Sequence, residues 1–221
     1  MTKTPTSPAN FSGFIHLPTR APASGLRGES LASGMKVGLL GGSFDPPHPG
    51  HLHLARTAMR RLGLDRVWWL VSPGNPLKSR QPASFDHRFQ AVQKLANEPG
   101  MVVSDIETRL GTSRTIDLVE ALRKRHHDVH FVWLMGSDNL AQFHRWARWR
   151  DVFNALPVAV LSRPQDELRS RLSRAARSFA SSRIRERQAH ILPLKTAPAW
   201  TYLNEPLHSD SSTQLRLQLK T

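Results

Sequence analysis

The chain has 221 residues, with 31 Lys and Arg against 17 Asp and Glu, a formal net charge of +14 and no cysteine. That length suits one domain, or one with an appendage, and buries a core without covalent staples. The lack of cysteine excludes disulfide frameworks, zinc–cysteine clusters and thiol nucleophiles. Uncharged apolar stretches such as Val67 to Pro73 are far short of the about 20 residues a membrane helix needs, so a soluble, cytoplasmic protein is expected.

Such a charge admits two partner classes: a nucleic acid, or phosphate-bearing small molecules whose encounter a positive field speeds. Eight arginines fall between Arg163 and Arg187, and read as one helical, solvated face.

Residues 1–34 are rich in Pro, Ser, Thr, Ala and Gly without a sustained period, so a disordered N-terminal extension is expected. No basic start and apolar run mark a secretory signal. A transit-like peptide and an extension upstream of a start at Met35 both stay open.

From Met35 strands alternate with helices. Met35 to Leu40 reads as a buried strand ending in Gly41-Gly42. Gly50 to Leu62 predicts an amphipathic helix, with Leu54, Ala58 and Leu62 on one stripe and Arg56, Arg60 and Arg61 mostly off it. Arg66 to Val71 is the second strand, Ser72 to Ser84 a loop, Phe85 to Ala96 a helix and Met101 to Ser104 a short strand. After a turn at Gly111 come a helix over Thr115 to Arg125 and the strongest strand, Val129 to Met135. Pro157 to Leu161 is a further strand. A basic helix is expected from about Asp166 and a closing helix from about Ser212. Strands separated by helices of 10–15 residues imply right-handed crossovers and a doubly wound parallel sheet in one α/β domain over 35–221. Ligands then bind beyond the carboxyl ends of the strands.

Most of the chemically distinctive residues follow those strand ends. In Gly41-Gly-Ser-Phe-Asp-Pro-Pro-His-Pro-Gly-His51, the glycines let the backbone turn and approach a ligand. His48 and His51 stand three apart at a helix start, where N–H groups and the helix dipole favour an anion. Their alternatives are metal ligation or a helix cap, but no third metal ligand is local. His53 reads as exposed on the helix. Ser212 and Thr213 begin a helix, as a plain N-cap or as a second anion pocket; Arg216, one turn on, can set its guanidinium fork on phosphate. Asp138 follows the strongest strand, as an N-cap or as an acceptor for ribose or adenine. Trp146 and Trp149 are spaced for core packing. Lys78 is a loop lysine, either solvated or reaching phosphate.

The first of these segments resembles, over all eleven residues, the GGxFDPxHxGH signature of the nucleotidyltransferases that share the HxGH motif. Gly136-Ser-Asp138 with Phe143-His-Arg-Trp146, Ser113-Arg-Thr-Ile-Asp117 and Ser211-Ser-Thr-Gln-Leu-Arg216 narrow the likeness to nicotinate-nucleotide adenylyltransferases, over about residues 35–220. The resemblance implies a Rossmann-like fold and a step of NAD biosynthesis, in which ATP and nicotinate mononucleotide give nicotinate adenine dinucleotide and pyrophosphate. It implies an ATP site of Gly41, Gly42, Ser43, Phe44, His48, His51, Gly136, Asp138, Ser212, Thr213 and Arg216. It sets the mononucleotide on Ser43, Lys78, Arg114, Thr115 and Trp146, with the Trp146 ring against the pyridine and Trp149 left to packing. His48, His51 and Lys78 are then the catalytic set, and Mg²⁺ comes with the ATP phosphates, not on a protein-held metal site. In two respects the chain departs from the pattern. Arg114 stands where an aromatic residue is usual, which would favour the acid over the amide. The chain also ends at Thr221, without the longer helical ending of some relatives.

An adenylyltransferase for another phosphorylated acceptor, nicotinamide mononucleotide or phosphopantetheine, is the alternative within the enzyme class. A basic RNA-binding protein is the alternative outside it. That reading requires exposed aromatics among basic residues, and only Trp68 and Trp69, on a strand expected to be buried, come near.

Overall fold

The computed structural model describes residues 31–74, 82–162 and 167–204. The expected closing helix, Lys78, Ser212, Thr213 and Arg216 lie outside the described residues. So do residues 1–30 of the expected extension. Within the described residues, Leu31 packs on the core and the Gly34 amide donates to the Asp128 carbonyl at 2.8 Å.

Among the described residues, six strands form one parallel sheet: β1 Lys36–Gly42, β2 Arg66–Val71, β3 Met101–Ser104, β4 His130–Gly136, β5 Val158–Leu161 and β6 Trp200–Leu203. Their spatial order is β3-β2-β1-β4-β5-β6. The winding therefore reverses between β1 and β4, and a crevice opens there at the carboxyl ends.

The strand side chains alternate between two buried layers. Val37, Leu39, Trp68, Leu70, Phe131, Trp133, Val158 and Val160 face one layer with α4 (Thr115–Arg125) and α6 (Trp149–Ala155). Leu40, Val67, Trp69, Val132, Leu134 and Ala159 face the other with α1 (Pro49–Leu62) and α2 (Phe85–Leu95). Both faces are covered, which is why the strands read as apolar runs without alternation. The α1 stripe is as expected, with Leu54, Ala58 and Leu62 buried. Gly63, at φ +62°, ends that helix in the left-handed cap that glycine adopts without steric cost.

Between these elements the chain holds more structure than the sequence pattern suggested. The short helices α3 (Ile106–Arg109), α5 (Ser137–Gln142) and α6 and the strand β6 were not anticipated. The basic stretch is not one helix. It breaks into α7 (Glu167–Arg171), α8 (Arg174–Ser178) and 3₁₀ turns at Ala180–Ser182 and Glu186–Leu194. Ser173 restarts the chain as α8 by accepting from the Ala176 amide. The following segment seals the β6 edge, with the Ile184 amide on the Trp200 carbonyl at 2.8 Å and Arg183 over the Trp200 ring. Arg169, Arg174, Arg177, Arg185 and Arg187 are exposed, as a solvated face requires.

The end of β1 is shaped by two missing side chains. A Cβ on Gly41 would lie 2.6 Å from Cη2 of Trp133, and one on Gly42 would lie 3.2 Å from the Phe44 ring. Consecutive residues face opposite layers, so one ring fills the gap on each face. Neither glycine has positive φ; the left-handed residue of this turn is Phe44, at φ +45°. Space beside the strand, rather than backbone freedom, accounts for the pair.

A rigid indole cannot yield as a leucine tip can. Gly41→Ala is expected to lose about 1–3 kcal/mol of stability in urea unfolding. Gly38→Ala, whose nearest contacts are the flexible Leu134 and Leu64 side chains, should lose less. Trp133→Phe in the Gly41→Ala background should recover part of the loss; strict additivity of the two changes would disprove the contact.

Candidate active site

The residues that follow β1 form a compact cluster. Phe44 is buried, with its ring 5.1 Å from that of His51 and 5.5 Å from that of Trp69. His48 occupies the N-cap of α1, Pro49 the first helical position and His51 the third. The imidazoles of His48 and His51 lie 3.8 Å apart, centroid to centroid. His48 is buried at 2 % exposure, while His51 is half-buried.

The two histidines cap the start of the helix. The His48 amide donates to Nδ1 of His51 at 3.3 Å. A neutral His51 ring that accepts at Nδ1 carries its proton on Nε2, so that nitrogen is the donor. The pair thus presents N–H groups at the positive end of a 14-residue helix, a setting that favours an anion. Among the described residues no group of three or more His, Asp or Glu side chains is arranged to hold a metal ion.

Across the β1–β4 crevice, Gly136 is the N-cap of α5 and Asp138 stands inside its first turn. The Asp138 carboxylate is therefore not the cap. Trp146, half-buried at the end of the Phe143–Arg145 turn, meets Trp133 edge-on at 6.2 Å and Phe143 at 4.7 Å. Trp133 touches both the Gly41 gap and Trp146, and so joins the two sides of the crevice. Trp149 is buried in the core, as its spacing suggested. Arg114 is exposed at the N-cap of α4, and Thr115 begins that helix. The Arg114 amide donates to Thr112 Oγ1 at 3.0 Å, and that hydroxyl donates to Asp117 at 2.9 Å.

Two buried charged residues beside the site escaped the sequence reading. Arg88, on α2, is 2 % exposed. Its Nη1 donates to the carbonyls of Ser43 at 2.7 Å and Ser72 at 2.8 Å, its Nη2 to Pro73 at 3.2 Å and its Nε to Ala83 at 2.9 Å. Burial lowers the guanidinium pKa, and the Asp45 carboxylate opposes that shift. The available signal was spacing, since Arg88 lies on the four-residue stripe of Val92 and Ala96, both buried. Glu107, on α3, is buried, and burial pushes its carboxyl up to about 7, opposed by the Ser72 hydroxyl.

A family model described as cytidylyltransferase-like matches residues 39–216. A probable nicotinate-nucleotide adenylyltransferase of Ruegeria sp. strain TM1040 is 51% identical over 182 residues, 82% of this chain and 96% of the relative. Another probable nicotinate-nucleotide adenylyltransferase, from Parvibaculum lavamentivorans, is 53% identical over 191 residues, 86% of this chain and 95% of its own. The fold matches that of Plasmodium falciparum nicotinic acid mononucleotide adenylyltransferase complexed with NaAD. The TM-score is 0.63 at 18% identity, covering 83% of each chain.

Between the ordinary carboxylate value of 4.5 and about 7, the unfolded chain releases the Glu107 proton and the folded chain keeps it. Stability should therefore fall as pH rises through that window, by roughly 3 kcal/mol at most, and level off above it. Glu107→Gln is expected to flatten that slope in urea unfolding between pH 5 and 7. An unchanged slope would assign the dependence to other groups.

Proposed function

The chain belongs to the nicotinate-nucleotide adenylyltransferase family, within the cytidylyltransferase-like group, and on that footing we propose how it transfers adenylyl from ATP to nicotinate mononucleotide. The products are nicotinate adenine dinucleotide and pyrophosphate, in NAD biosynthesis. The observation that carries the site assignment is the His48–His51 pair, 3.8 Å apart at the amino end of α1, beside the β1–β4 crevice.

An oxygen of the mononucleotide 5′-phosphate attacks the α-phosphorus of ATP in line. The bond to the bridging oxygen breaks, and pyrophosphate departs with the electron pair. Phosphate is already a competent nucleophile, so no general base is needed. Catalysis is positioning plus stabilisation of charge on the phosphoryl oxygens. Nε2 of His51 and the imidazole of His48 donate to those oxygens, with Gly50 giving them access to the helix start. Asp138 accepts from the adenosine moiety, and Gly41 to Phe44 line the nucleotide. Lys78, Ser212, Thr213 and Arg216 belong to the same proposal through the family motifs alone. ATP enters as its magnesium complex, with Mg²⁺ held by the phosphates.

Trp146 supplies a ring for the pyridine, and a pyridinium over an indole gains roughly 0.5–2 kcal/mol. The α4 amino end, with Arg114 and Thr115, is the group available for the nicotinate carboxylate. Its positive charge supports the acid over the amide. The small-molecule reading fits a protein placed in the cytoplasm.

Pyrophosphate release with ATP and Mg²⁺ should be strong with nicotinate mononucleotide and weak with nicotinamide mononucleotide. Equal rates would remove Arg114 and Thr115 as discriminators, and release with neither would overturn the acceptor. In the same assay His51→Ala should lower kcat by about 10²–10³ with the fold intact; retention of half the activity would refute the histidine role. Trp146→Ala should raise KM for the mononucleotide and leave that for ATP nearly unchanged, whereas equal losses for both would make the ring structural.

A further inference from the structure

The buried guanidinium of Arg88 bonds three separate stretches of chain at once: Ser43 after β1, Ser72 and Pro73 after β2, and Ala83 ahead of α2. Burying a cation is costly unless its donors are met, and an apolar side chain of similar length would fill the space. What an apolar side chain cannot do is donate to four carbonyl oxygens at once. The five-donor fork of arginine can, and the three-donor ammonium of lysine cannot.

The Ser43 carbonyl belongs to the peptide that leads into Phe44, whose φ of +45° is a backbone conformation seldom kept without support. Phe44 packs edge-on against His51, and the His51 ring lies tilted against that of His48, 3.8 Å between centroids. Two further bonds draw the same parts together: the Ser72 amide donates to the Gly42 carbonyl at 3.0 Å, and the Ala83 amide to Asp45 Oδ1 at 3.4 Å. The Ser43–Phe44 turn is thus fastened from one side by Arg88 and bears on the imidazoles from the other.

We propose that Arg88 is a positioning residue for adenylyl transfer: it fixes the Ser43–Phe44 turn, and through Phe44 the His48–His51 pair, against the exit of β2. This rests on the function proposed above. Arg88 contacts no reacting atom. Its effect is to keep the donors where the phosphoryl oxygens will lie, and a shift of about 1 Å in such groups costs on the order of 10²-fold in rate.

Wild-type turnover with nicotinate mononucleotide is established first, so that a wrong acceptor is recognised before any variant is judged. Arg88→Lys, assayed below its melting temperature, is then expected to lose about 10- to 100-fold in kcat, with KM for ATP and for the mononucleotide each within about threefold. A kcat within twofold of wild type, whatever the fall in Tm, would reduce Arg88 to a structural tie and overturn the proposal. A tenfold rise in one KM with kcat unchanged would also overturn it, by making Arg88 a determinant of binding. Native-state hydrogen exchange on the unmodified protein tests the same claim without substrate and without a variant that must fold. The amides of Ser43, Phe44 and Ser72 should open with those of α2, with one denaturant dependence. Separate opening of the Ser43–Phe44 turn would overturn the clamp.

Discussion

Two rings, Trp133 and Phe44, occupy the places that the last two residues of β1 leave empty, one on each face of the sheet. β1 is the inner strand at which the winding reverses, so its end is the floor of the crevice. With ordinary side chains at Gly41 and Gly42, neither ring could stay where it is. Phe44 would lose its seat beside His51, and Trp133 its position beneath Trp146. The geometry of the histidine pair and of the candidate stacking ring therefore depends on one packing constraint at a strand end.

Electrostatics around that floor favour a phosphate-rich ligand without a paired-carboxylate centre. The positive end of α1 carries the two imidazoles, and a buried guanidinium lies behind the turn. The nearby buried acid, Glu107, has its pKa pushed up to about 7 by burial, so less negative charge stands behind the site at neutral pH than an exposed glutamate would bring. For a reaction whose nucleophile and leaving group are both anionic, removal of negative charge matters more than an added base.

Much of this was legible in the sequence because parallel strands buried on both faces appear as apolar runs, and α1 shows its buried stripe directly. The expected strands are present with their bounds shifted by a residue or two, and the histidines, Asp138 and Trp146 lie at strand ends as the fold class requires. Other features depend on tertiary contacts that no local pattern encodes. β6 is only four residues long, and its aromatic run, Trp200 to Leu203, was masked by the irregular segment before it. The arginine stretch has the composition of a helix but is drawn across β6 by Ser170–Tyr202 and Arg183–Trp200 contacts. Gly41 and Gly42 suggested a flexible turn, whereas they make room for rings from elsewhere in the chain. Arg88 passed as one more basic residue among many, because its role lies in three carbonyl-bearing segments far apart in sequence.

The arrangement also bears on why one enzyme would need both glycines. Trp146 and the start of α4 belong to one side of the sheet, and His48, His51 and Arg88 to the other. Under the proposed reaction, a mononucleotide with its pyridine on Trp146 and its phosphate near the histidines must pass over the end of β1. Side chains there would displace the rings already in place, Trp133 on one face and Phe44 on the other, and with them the supports of Trp146 and His51 on either side of that strand end. Two consecutive glycines leave room for both rings at once. A nucleic-acid platform would instead need aromatic faces turned to solvent. Trp68 and Trp69, the pair that suggested one, are sealed within the sheet, and Trp146 is half-buried against Trp133 and Phe143 rather than on an open strand face.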